Sequence, residues 1–246
     1  MTVRQDRRKD RDEQRLALVC ALDDPVRRRL YDYVSAADAP VGRDEAAAAA
    51  GVGRPLAAYH LDRLVSLGLL TADYRRPAGR SGPGAGRPAK RYSRSGSEFA
   101  VSVPPREYEL AARLLAEAVE SDPSGSARAA LRRAAHGLGA QIGRTACEPR
   151  VRSGNAPEIM CAVLAEHGFE PFSRDDRTVG LRNCPFHALA ARHTETVCGM
   201  NLALLEGIAA GIGAQDLQPV LDPAPGRCCV AIRTVQRSPK QPDGAS

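Results

Sequence analysis

The sequence predicts an α+β chain, and three observations support this. Between Arg43 and Leu67, two short helical patterns are separated by a tight turn, and a basic stretch with strand-like alternation follows. From Arg106 to Arg144, apolar residues recur every three to four positions, which indicates two further helices. From Asn155 onward, helical patterns alternate with short strand patterns. The expected architecture is an N-terminal winged helix-turn-helix, a helical dimerisation linker and a small C-terminal α+β sensor domain.

The first observation predicts a surface for nucleic acid. A helix from Arg43 stops at Gly51, and a second helix begins near Pro55, where proline costs no hydrogen bond because the first helical N–H groups have no partner. The buried face of this second helix follows the spacing of its apolar residues. The other side of the helix can reach the edges and phosphates of a major groove. The candidate contact residues on this helix are Arg54, Tyr59, His60 and Arg63.

The segment after this helix strengthens the prediction. Gly68–Tyr74 alternates like a strand, and Lys90–Tyr92 reads as a returning strand. Residues 74–94 hold seven basic side chains and no acidic one, an imbalance that suits a polyanion. Helix, strand, loop and strand in this order describe a winged helix, although a plain helical hairpin with a basic linker gives the same composition. The candidate phosphate contacts of the hairpin are Arg80, Arg87, Lys90 and Arg91.

Charge is divided unevenly along the 246 residues. Residues 1–95 hold 19 Lys/Arg and 12 Asp/Glu, a net charge of +7, although the whole chain carries only +6. The basic excess therefore belongs to the half that is predicted to bind DNA. With no apolar run near the roughly 20 residues of a membrane span and no secretory signal, we expect a soluble cytoplasmic protein. Seven cysteines are then unlikely to be structural disulfides.

The remaining chain divides by composition. We expect a flexible charged arm at 1–14, a DNA-binding domain at 15–103, a helical linker or dimerisation region at 104–150, a sensor domain at 151–236 and a disordered tail at 237–246. Asp23 or Asp24 can cap a helix that begins at Pro25, and Asn155 can cap the first sensor helix. The linker helices have apolar stripes that either a second copy of the chain or the sensor domain can cover. The stripe residues are Tyr108, Ala111, Leu115 and Ala118, then Leu131, Ala135, Leu138 and Ile142.

Four cysteines fall at predicted element boundaries in the sensor domain. Cys184 ends a strand, Cys198 lies in the first turn of a long helix, where the helix dipole favours a thiolate, and Cys228 opens the last strand. Strand alternation places Cys229 on the opposite face from Cys228. The intervals of 13 and 29 residues that separate Cys184, Cys198 and Cys228 match no short zinc motif, so core packing remains an alternative to a shared metal site. Core packing is the simplest interpretation for Cys20 and Cys161.

Two segments resemble known regulators. Residues 59–70 (YHLDRLVSLGLL) and 86–92 (GRPAKRY) resemble ArsR-like winged-helix proteins over about Leu16 to Ser95. Residues 183–186 (NCPF), 197–198 (VC) and 226–228 (GRC) resemble the sensor domain of the iron–sulfur-dependent Suf-operon repressors over about Asn155 to Arg233. This resemblance implies a [4Fe–4S] cluster held by Cys184, Cys198 and Cys228. Because Cys228 and Cys229 are adjacent, Cys229 is the alternative third ligand, and the fourth ligand is open among His187, His193, Cys229 and a non-thiol group.

The predicted function is that of a homodimeric regulator, a repressor by resemblance, that binds double-stranded DNA and senses iron–sulfur or redox status. The alternatives are a winged-helix regulator that responds to zinc or to a small organic effector, and a thiol or metal enzyme with a nucleic-acid module. The chain lacks the motifs GxGxxG, GxxxxGK[ST], GxSxG, HExxH and CxxC, so we expect no enzyme. No membrane partner is expected.

Overall fold

The computed structural model describes residues 16–75, 89–97, 106–147, 154–224 and 226–235. They belong to two compact units, Met1–Arg106 and Glu107–Ser246. Each unit combines helices with an antiparallel sheet, so the predicted α+β class is confirmed. The predicted arm and tail, and the candidate residues Arg80 and Arg87, lie outside the described residues.

The N-terminal unit packs four helical segments against a three-stranded sheet. Its strands run in the order β1-β3-β2, all antiparallel, with Val41 opposite Tyr92 and Leu70 opposite Arg94. The core contains Leu30, Leu61 and Tyr92 among its largest fully buried side chains. The elements are α1 (16–21), α2 (Pro25–Ala36), β1 (Val41–Gly42), α3 (Arg43–Ala50), α4 (Arg54–Ser66), β2 (Leu70–Arg75) and β3 (Ala89–Arg94).

Local sequence signals fix where the helices of this unit begin and end. The Asp24 carboxylate accepts hydrogen bonds from the N–H groups of Val26 and Arg27, both at 2.9 Å, which confirms the predicted cap of α2. Helix α3 ends at Gly51, whose φ of +66° is a left-handed conformation that favours glycine. Helix α4 follows after a turn of three residues, Gly51 to Gly53, as the Gly51–Pro55 sequence predicts.

The C-terminal unit places five helices with a four-stranded antiparallel sheet in the order β4-β5-β7-β6. Asn155 Oδ1 accepts a hydrogen bond from the Glu158 N–H at 3.0 Å, and the Glu158 carboxylate accepts one from the Asn155 N–H, which confirms the predicted cap. The elements are α5 (Tyr108–Glu120), α6 (Ser126–Ala146), α7 (Ala156–Glu166), β4 (Pro171–Asp175), β5 (Thr178–Leu181), α8 (His187–Ala190), α9 (Thr194–Ile212), β6 (Leu217–Leu221) and β7 (Val230–Thr234).

Helices α6 and α9 pack backbone against backbone through glycines. A Cβ atom added to Gly139 would overlap the carbonyl oxygen of Leu204, and one added to Gly207 would overlap that of His136. Gly143 and Gly211 repeat this relation one turn further along the two helices. The stretch that the sequence predicts as a linker therefore belongs, from Glu107 onward, to the same compact unit as the sensor elements.

The predicted apolar stripe of α6 is wrong in detail. Ala135 is buried, as predicted, but Leu138 is 55% exposed, and the small residues Gly139 and Gly143 are buried in its place. The close approach of α9 accounts for this, because only residues without a large side chain fit between backbones that nearly touch.

Helix α5 leaves its predicted stripe uncovered. Tyr108 and Leu115 are 74% and 69% exposed, and Leu110 and Leu114 are exposed beside them, while Ala116 is buried. The C-terminal unit therefore does not cover this stripe, and the alternative in which the sensor domain does so is wrong for α5.

Helix α9 is the one helix among the described residues with the length and apolar composition of a membrane span, and 56% of that span is buried inside the unit. Leu205 and Ile208, both fully buried, lie in the main core of this unit. Burial in the core accounts for the apolar character of α9.

Candidate nucleic-acid interface and cysteine site

Helix α4 presents polar and aromatic side chains on the side opposite its core face. Its core face carries Ala57, Leu61 and Leu64, all fully buried. Arg63 is exposed, and Tyr59 is 66% exposed. The exposed Arg54 guanidinium lies 3.0 Å from the carboxylate of Asp44. Because a surface ion pair contributes little to stability, Arg54 can leave Asp44 for another anion at little cost.

Two of the predicted DNA-contacting residues do not lie on this surface. His60 is buried with only 7% of its surface exposed, and its ring meets the Tyr59 ring edge-on, so it packs in the interior instead of reaching outward. Lys90 is also largely buried, and its Nζ lies 2.6 Å from Asp62 Oδ1. The assignment of both residues to DNA contact is therefore corrected to a structural role, whereas Arg91 on β3 stays partly exposed.

Asp62 is the centre of a polar network that the sequence did not predict. The Tyr92 hydroxyl donates to Asp62 Oδ1 at 2.7 Å, the Arg43 Nε donates to the Tyr92 oxygen at 2.9 Å, and Arg43 Nη2 lies 3.3 Å from Asp62 Oδ2. With Lys90, this network joins α3, α4 and β3. It also links the two segments that carry the resemblance to ArsR-like proteins, because Asp62 lies in the first segment and Tyr92 in the second.

Burial and hydrogen bonding shift pKa values in this network. Burial raises the pKa of Tyr92 to about 12, so the hydroxyl stays protonated and donates to Asp62. Burial alone would raise the pKa of Asp62, but the hydrogen bonds from Lys90 and Tyr92 outweigh it and lower that pKa. Asp62 is therefore a carboxylate near neutral pH and holds its cationic neighbours in place.

In the C-terminal unit, four cysteines that are far apart in sequence lie together. Cys184 follows β5, Cys198 is the fifth residue of α9, and Cys228 and Cys229 directly precede β7. Cys184, Cys198 and Cys228 are buried and Cys229 is partly buried, and the thiols of Cys228 and Cys198 raise the pKa values of Cys184 and Cys229. The four cysteines that the sequence predicts for this site therefore lie in one region of the C-terminal unit.

Polar groups near these thiols favour a negative charge on sulfur. The backbone N–H groups of Phe186 and Val230 lower the pKa values of Cys184 and Cys228, respectively, against the larger effects of the other neighbours. The Asn201 Nδ2 donates to Cys228 Sγ at 3.3 Å, and Asn201 is fully buried, with no hydrogen-bond partner for its Oδ1. A fully buried amide with an unpartnered oxygen is costly, so its place beside the sulfur points to a functional constraint.

Neighbouring thiols shift one another's pKa values in opposite directions. Interaction with Cys184 and Cys229 lowers the pKa of Cys228 to about 3. Interaction with Cys228, together with burial, raises the pKa values of Cys184 and Cys229 above that of a free thiol. Cys228 is accordingly the thiol most readily present as a thiolate.

Two details of the predicted site are wrong. Helix α9 begins at Thr194, so Cys198 lies in its second turn and not in its first, where the helix dipole acts most strongly. Strand β7 begins at Val230, so neither Cys228 nor Cys229 belongs to it, and strand alternation does not separate them. Asn201 was missed, although a polar residue three positions after Cys198 in an apolar helix is a visible signal.

The remaining candidate cysteines and histidines were predicted as core residues or as fourth ligands. Cys20 is exposed, so its assignment to the core is wrong, and Cys161 is half-buried on α7. Among the candidates for a fourth ligand, His187 is exposed. His193 is buried, with its Nδ1 2.7 Å from Glu120 Oε2, which ties the start of α9 to α5.

The donor chemistry of the cysteine site fits a thiolate-ligated metal or iron–sulfur cluster. Thiols with an N–H donor beside one sulfur, as Asn201 Nδ2 is beside Cys228, are the ligand and outer-sphere groups that such centres use. Within the described part of the chain, however, no group of three or more His, Cys, Asp or Glu side chains has the arrangement of a metal-ion site.

Comparison with known proteins adds no family to this description. A scan against protein-family models, a search of curated proteins and a search of solved structures each find no significant match.

Proposed function

We propose that this chain is a homodimeric, cytoplasmic DNA-binding transcriptional repressor whose C-terminal unit senses iron–sulfur or redox status through a [4Fe–4S] cluster. The observation that carries the proposal is that Cys184, Cys198 and Cys228, which lie after β5, in α9 and before β7, are all buried in the C-terminal unit, with Cys228 and Cys198 both raising the pKa of Cys184. The cluster and its three ligands otherwise rest on the resemblance to Suf-operon repressors.

The architecture of the N-terminal unit supports the DNA-binding part of the proposal. Helix α2, strand β1, helices α3 and α4 and the β2–β3 hairpin follow one another in the order of a winged helix-turn-helix, with sheet order β1-β3-β2. In this arrangement α4 enters the major groove. Arg54, Tyr59 and Arg63 on its exposed face would then meet bases and phosphates, while Arg91 and the hairpin residues Arg80 and Arg87 would contact the backbone.

The residues around the thiols have distinct roles in this proposal. Cys184, Cys198 and Cys228 would hold the group as thiolates, and the Asn201 N–H beside Cys228 Sγ would stabilise negative charge on that sulfur. When bound, the group would supply an iron–sulfur centre that oxidants and iron supply can alter.

The uncovered stripe of α5 supports a homodimer. Tyr108, Leu114 and Leu115 are all more than half exposed, and a single winged helix reads only a few base pairs. Two copies joined through these residues would present two α4 helices to a two-fold symmetric DNA site. The ligand state can change repression only by the difference in DNA affinity between the loaded and unloaded dimers.

The testing experiment is anaerobic reconstitution followed by DNA binding. We expect broad visible absorption with stoichiometric iron and sulfide, and specific binding to the duplex upstream of the chain's own coding sequence, or to duplexes selected from a random pool. The affinity should differ between loaded and unloaded protein and fall steeply with salt. Protein that takes up no iron would overturn the cluster, and binding that is independent of sequence would overturn the regulator.

A second candidate keeps the regulator and replaces the cluster with zinc. By ligand type, cysteine thiolates suit a tetrahedral zinc site at least as well as an iron–sulfur centre. A colourless protein with one zinc per chain would favour this candidate. A small organic effector has a further place to bind, an open groove of about 460 Å³ lined by Arg132, His136 and Leu202 among others.

A further inference from the structure

Helix α4 carries one acidic residue, Asp62, on a helix whose outer side is proposed to enter the major groove. Asp62 directly precedes Arg63 and lies three residues after Tyr59, and both of these neighbours are exposed. The Asp62 side chain is itself 45% exposed. A carboxylate at this position repels phosphates, so its presence on a surface that otherwise suits DNA calls for a physical reason.

Two cations from different elements bind the Asp62 carboxylate. Lys90 Nζ, on β3, lies 2.6 Å from Asp62 Oδ1 and 5.4 Å from the centre of the Tyr92 ring. Arg43, the first residue of α3, places its Nη2 3.3 Å from Asp62 Oδ2, and its Nε donates to the Tyr92 hydroxyl at 2.9 Å. The Lys90 and Arg43 side chains are only 17% and 33% exposed. Both cations are therefore held against Asp62 and are not presented to the solvent.

The geometry of β3 separates the held cation from an available one. Lys90 and Tyr92 are two residues apart in the strand, so they share one face, and both contact Asp62 of α4. Arg91, between them, belongs to the opposite face and is partly exposed. Adjacent basic residues of one strand thus differ in access to DNA, and the difference is set by Asp62.

The charge of this network decides how strongly it attracts DNA in general. Asp62 neutralises one of the two positive charges of Lys90 and Arg43, and the protonated Tyr92 hydroxyl adds none. Phosphate contacts strengthen binding to any sequence, and a non-specific complex can adopt the position that makes most of them. In the specific complex, base contacts fix the position, so an additional free cation benefits it less. Specificity is the difference between these two affinities, so restraining cations increases it.

We propose that Asp62 is a specificity-determining residue, which binds Lys90 and Arg43, withholds them from DNA phosphates and so limits binding to non-cognate DNA. This inference rests on the proposed function, because it assigns a role within the DNA-binding surface proposed there. It gives Lys90 the opposite role from the one that its residue type suggests, since Lys90 is a cation that is kept away from the DNA backbone.

The decisive experiment measures binding of the full chain to a random-sequence duplex by fluorescence anisotropy over a range of salt concentrations. Asp62→Asn removes the charge and nearly preserves the shape. Each phosphate contact that is gained should steepen the log–log salt dependence by up to about 0.9, which corresponds to about 8-fold in affinity between about 1 M and 0.1 M salt. We expect tighter binding to random DNA and a smaller affinity ratio between a duplex selected from a random pool and the random duplex.

A purely structural role of Asp62 predicts a different result. Loss of folded protein would lower the affinity for both duplexes by the same factor and leave the salt dependence unchanged, and circular dichroism under the assay conditions measures the folded fraction. An unchanged or weaker affinity of Asp62→Asn for random DNA, with an unchanged salt dependence, would overturn the proposal.

Two matched variants test the charge and its position. Asp62→Glu keeps the carboxylate and should retain the salt dependence of the unaltered protein. Asp32→Asn makes the same change in net charge at an exposed position of α2 and should steepen the salt dependence much less than Asp62→Asn. An equal effect of Asp32→Asn would assign the result to net charge and would overturn the release of bound cations as its cause.

Lys90→Met gives a readout that does not depend on the folding of Asp62→Asn. In the unaltered background, its removal should leave the salt dependence unchanged, because Lys90 makes no phosphate contact there. In the Asp62→Asn background, it should remove the part of the added slope that the freed Lys90 supplies. A slope that falls by about 0.9 in the unaltered background would show that Lys90 already contacts a phosphate, and would overturn the proposal.

The outcomes also separate this inference from the proposed function. If the unaltered protein binds no duplex, the proposed regulator and this inference are both wrong. If it binds a selected duplex specifically and Asp62→Asn leaves the binding to random DNA unchanged, the regulator stands and the role of Asp62 in specificity is wrong.

Discussion

The packing of α6 on α9 predicts that alanine stabilises the protein at one glycine of α6 and destabilises it at another. Gly139 and Gly137 both lie in α6, two residues apart. A Cβ at Gly137 meets nothing within 4 Å, whereas a Cβ at Gly139 would overlap the carbonyl oxygen of Leu204 and lie 2.9 Å from the backbone nitrogen of Ile208. The clash is with the backbone, so no side chain can rotate to relieve it.

The two magnitudes follow from this difference. In Gly137→Ala, the gain in helix propensity acts alone, and we expect the C-terminal unit to be stabilised by about 0.5–1 kcal/mol. In Gly139→Ala, the same gain is present, but α6 and α9 must separate, and overpacking of this kind costs about 1–3 kcal/mol. Because the propensity gain is common to both variants, their free energies of unfolding should differ by the cost of the clash alone, about 1–3 kcal/mol.

Urea denaturation followed by far-ultraviolet circular dichroism measures this difference, since the chain contains no tryptophan to serve as a fluorescent probe. Because the chain forms two compact units, the transition of the C-terminal unit should be the one that moves. A Gly139→Ala protein as stable as the Gly137→Ala protein would refute the backbone-to-backbone packing of these helices.

Three further predictions concern the two candidate sites. Asp62→Asn should destabilise the N-terminal unit near neutral pH. Because the pKa of Asp62 is lowered in the folded state, the contribution of Asp62 to stability is present above the usual carboxyl range and is lost as the pH falls through the lowered value. Unfolding curves at several pH values should therefore show the variant and the unaltered protein converging in stability in acid. Arg63→Ala should weaken specific DNA binding by about 1–3 kcal/mol if this residue reads a base, whereas loss of a phosphate contact should lower affinity on all sequences alike; fluorescence anisotropy with specific and random duplexes separates the two cases. Asn201→Leu should keep the fold and lower the affinity for cobalt(II) by about 10–100-fold, with cobalt(II) serving as a spectroscopic probe of the thiols. An unchanged affinity and charge-transfer spectrum would show that the hydrogen bond from Asn201 to Cys228 does not matter to the site.

Features that depend on a few neighbouring residues were predictable. Asp24 and Asn155 cap their helices because a short polar side chain before a helical pattern can reach the N–H groups two or three residues ahead. Gly51 ends α3 because glycine adopts the left-handed conformation at low cost. Three of the four cysteines singled out in the C-terminal unit are buried, whereas whether they form a ligand site stays a prediction.

Features that depend on the approach of distant elements were not predictable. The stripe on α6 was misassigned because its burial is decided by how closely the backbone of α9 approaches, which periodicity does not report. His60 and Lys90 were predicted to contact DNA because of their residue types. In the structure, His60 is buried in the N-terminal unit and Lys90 is paired with the carboxylate of Asp62.

The cysteine site shows which features the sequence determines and which only the tertiary structure determines. The sequence by itself determined which residues could be ligands, because thiol chemistry is a property of residue type and the ends of elements follow from local patterns. Only the tertiary structure decided that Cys228 and Cys229 lie ahead of β7, since that depends on the backbone hydrogen bonds of this dipeptide to Leu181 and Asp222. Register and side-chain direction at a strand end are set by partners distant in the chain, and a one-residue shift there reverses which face a side chain occupies.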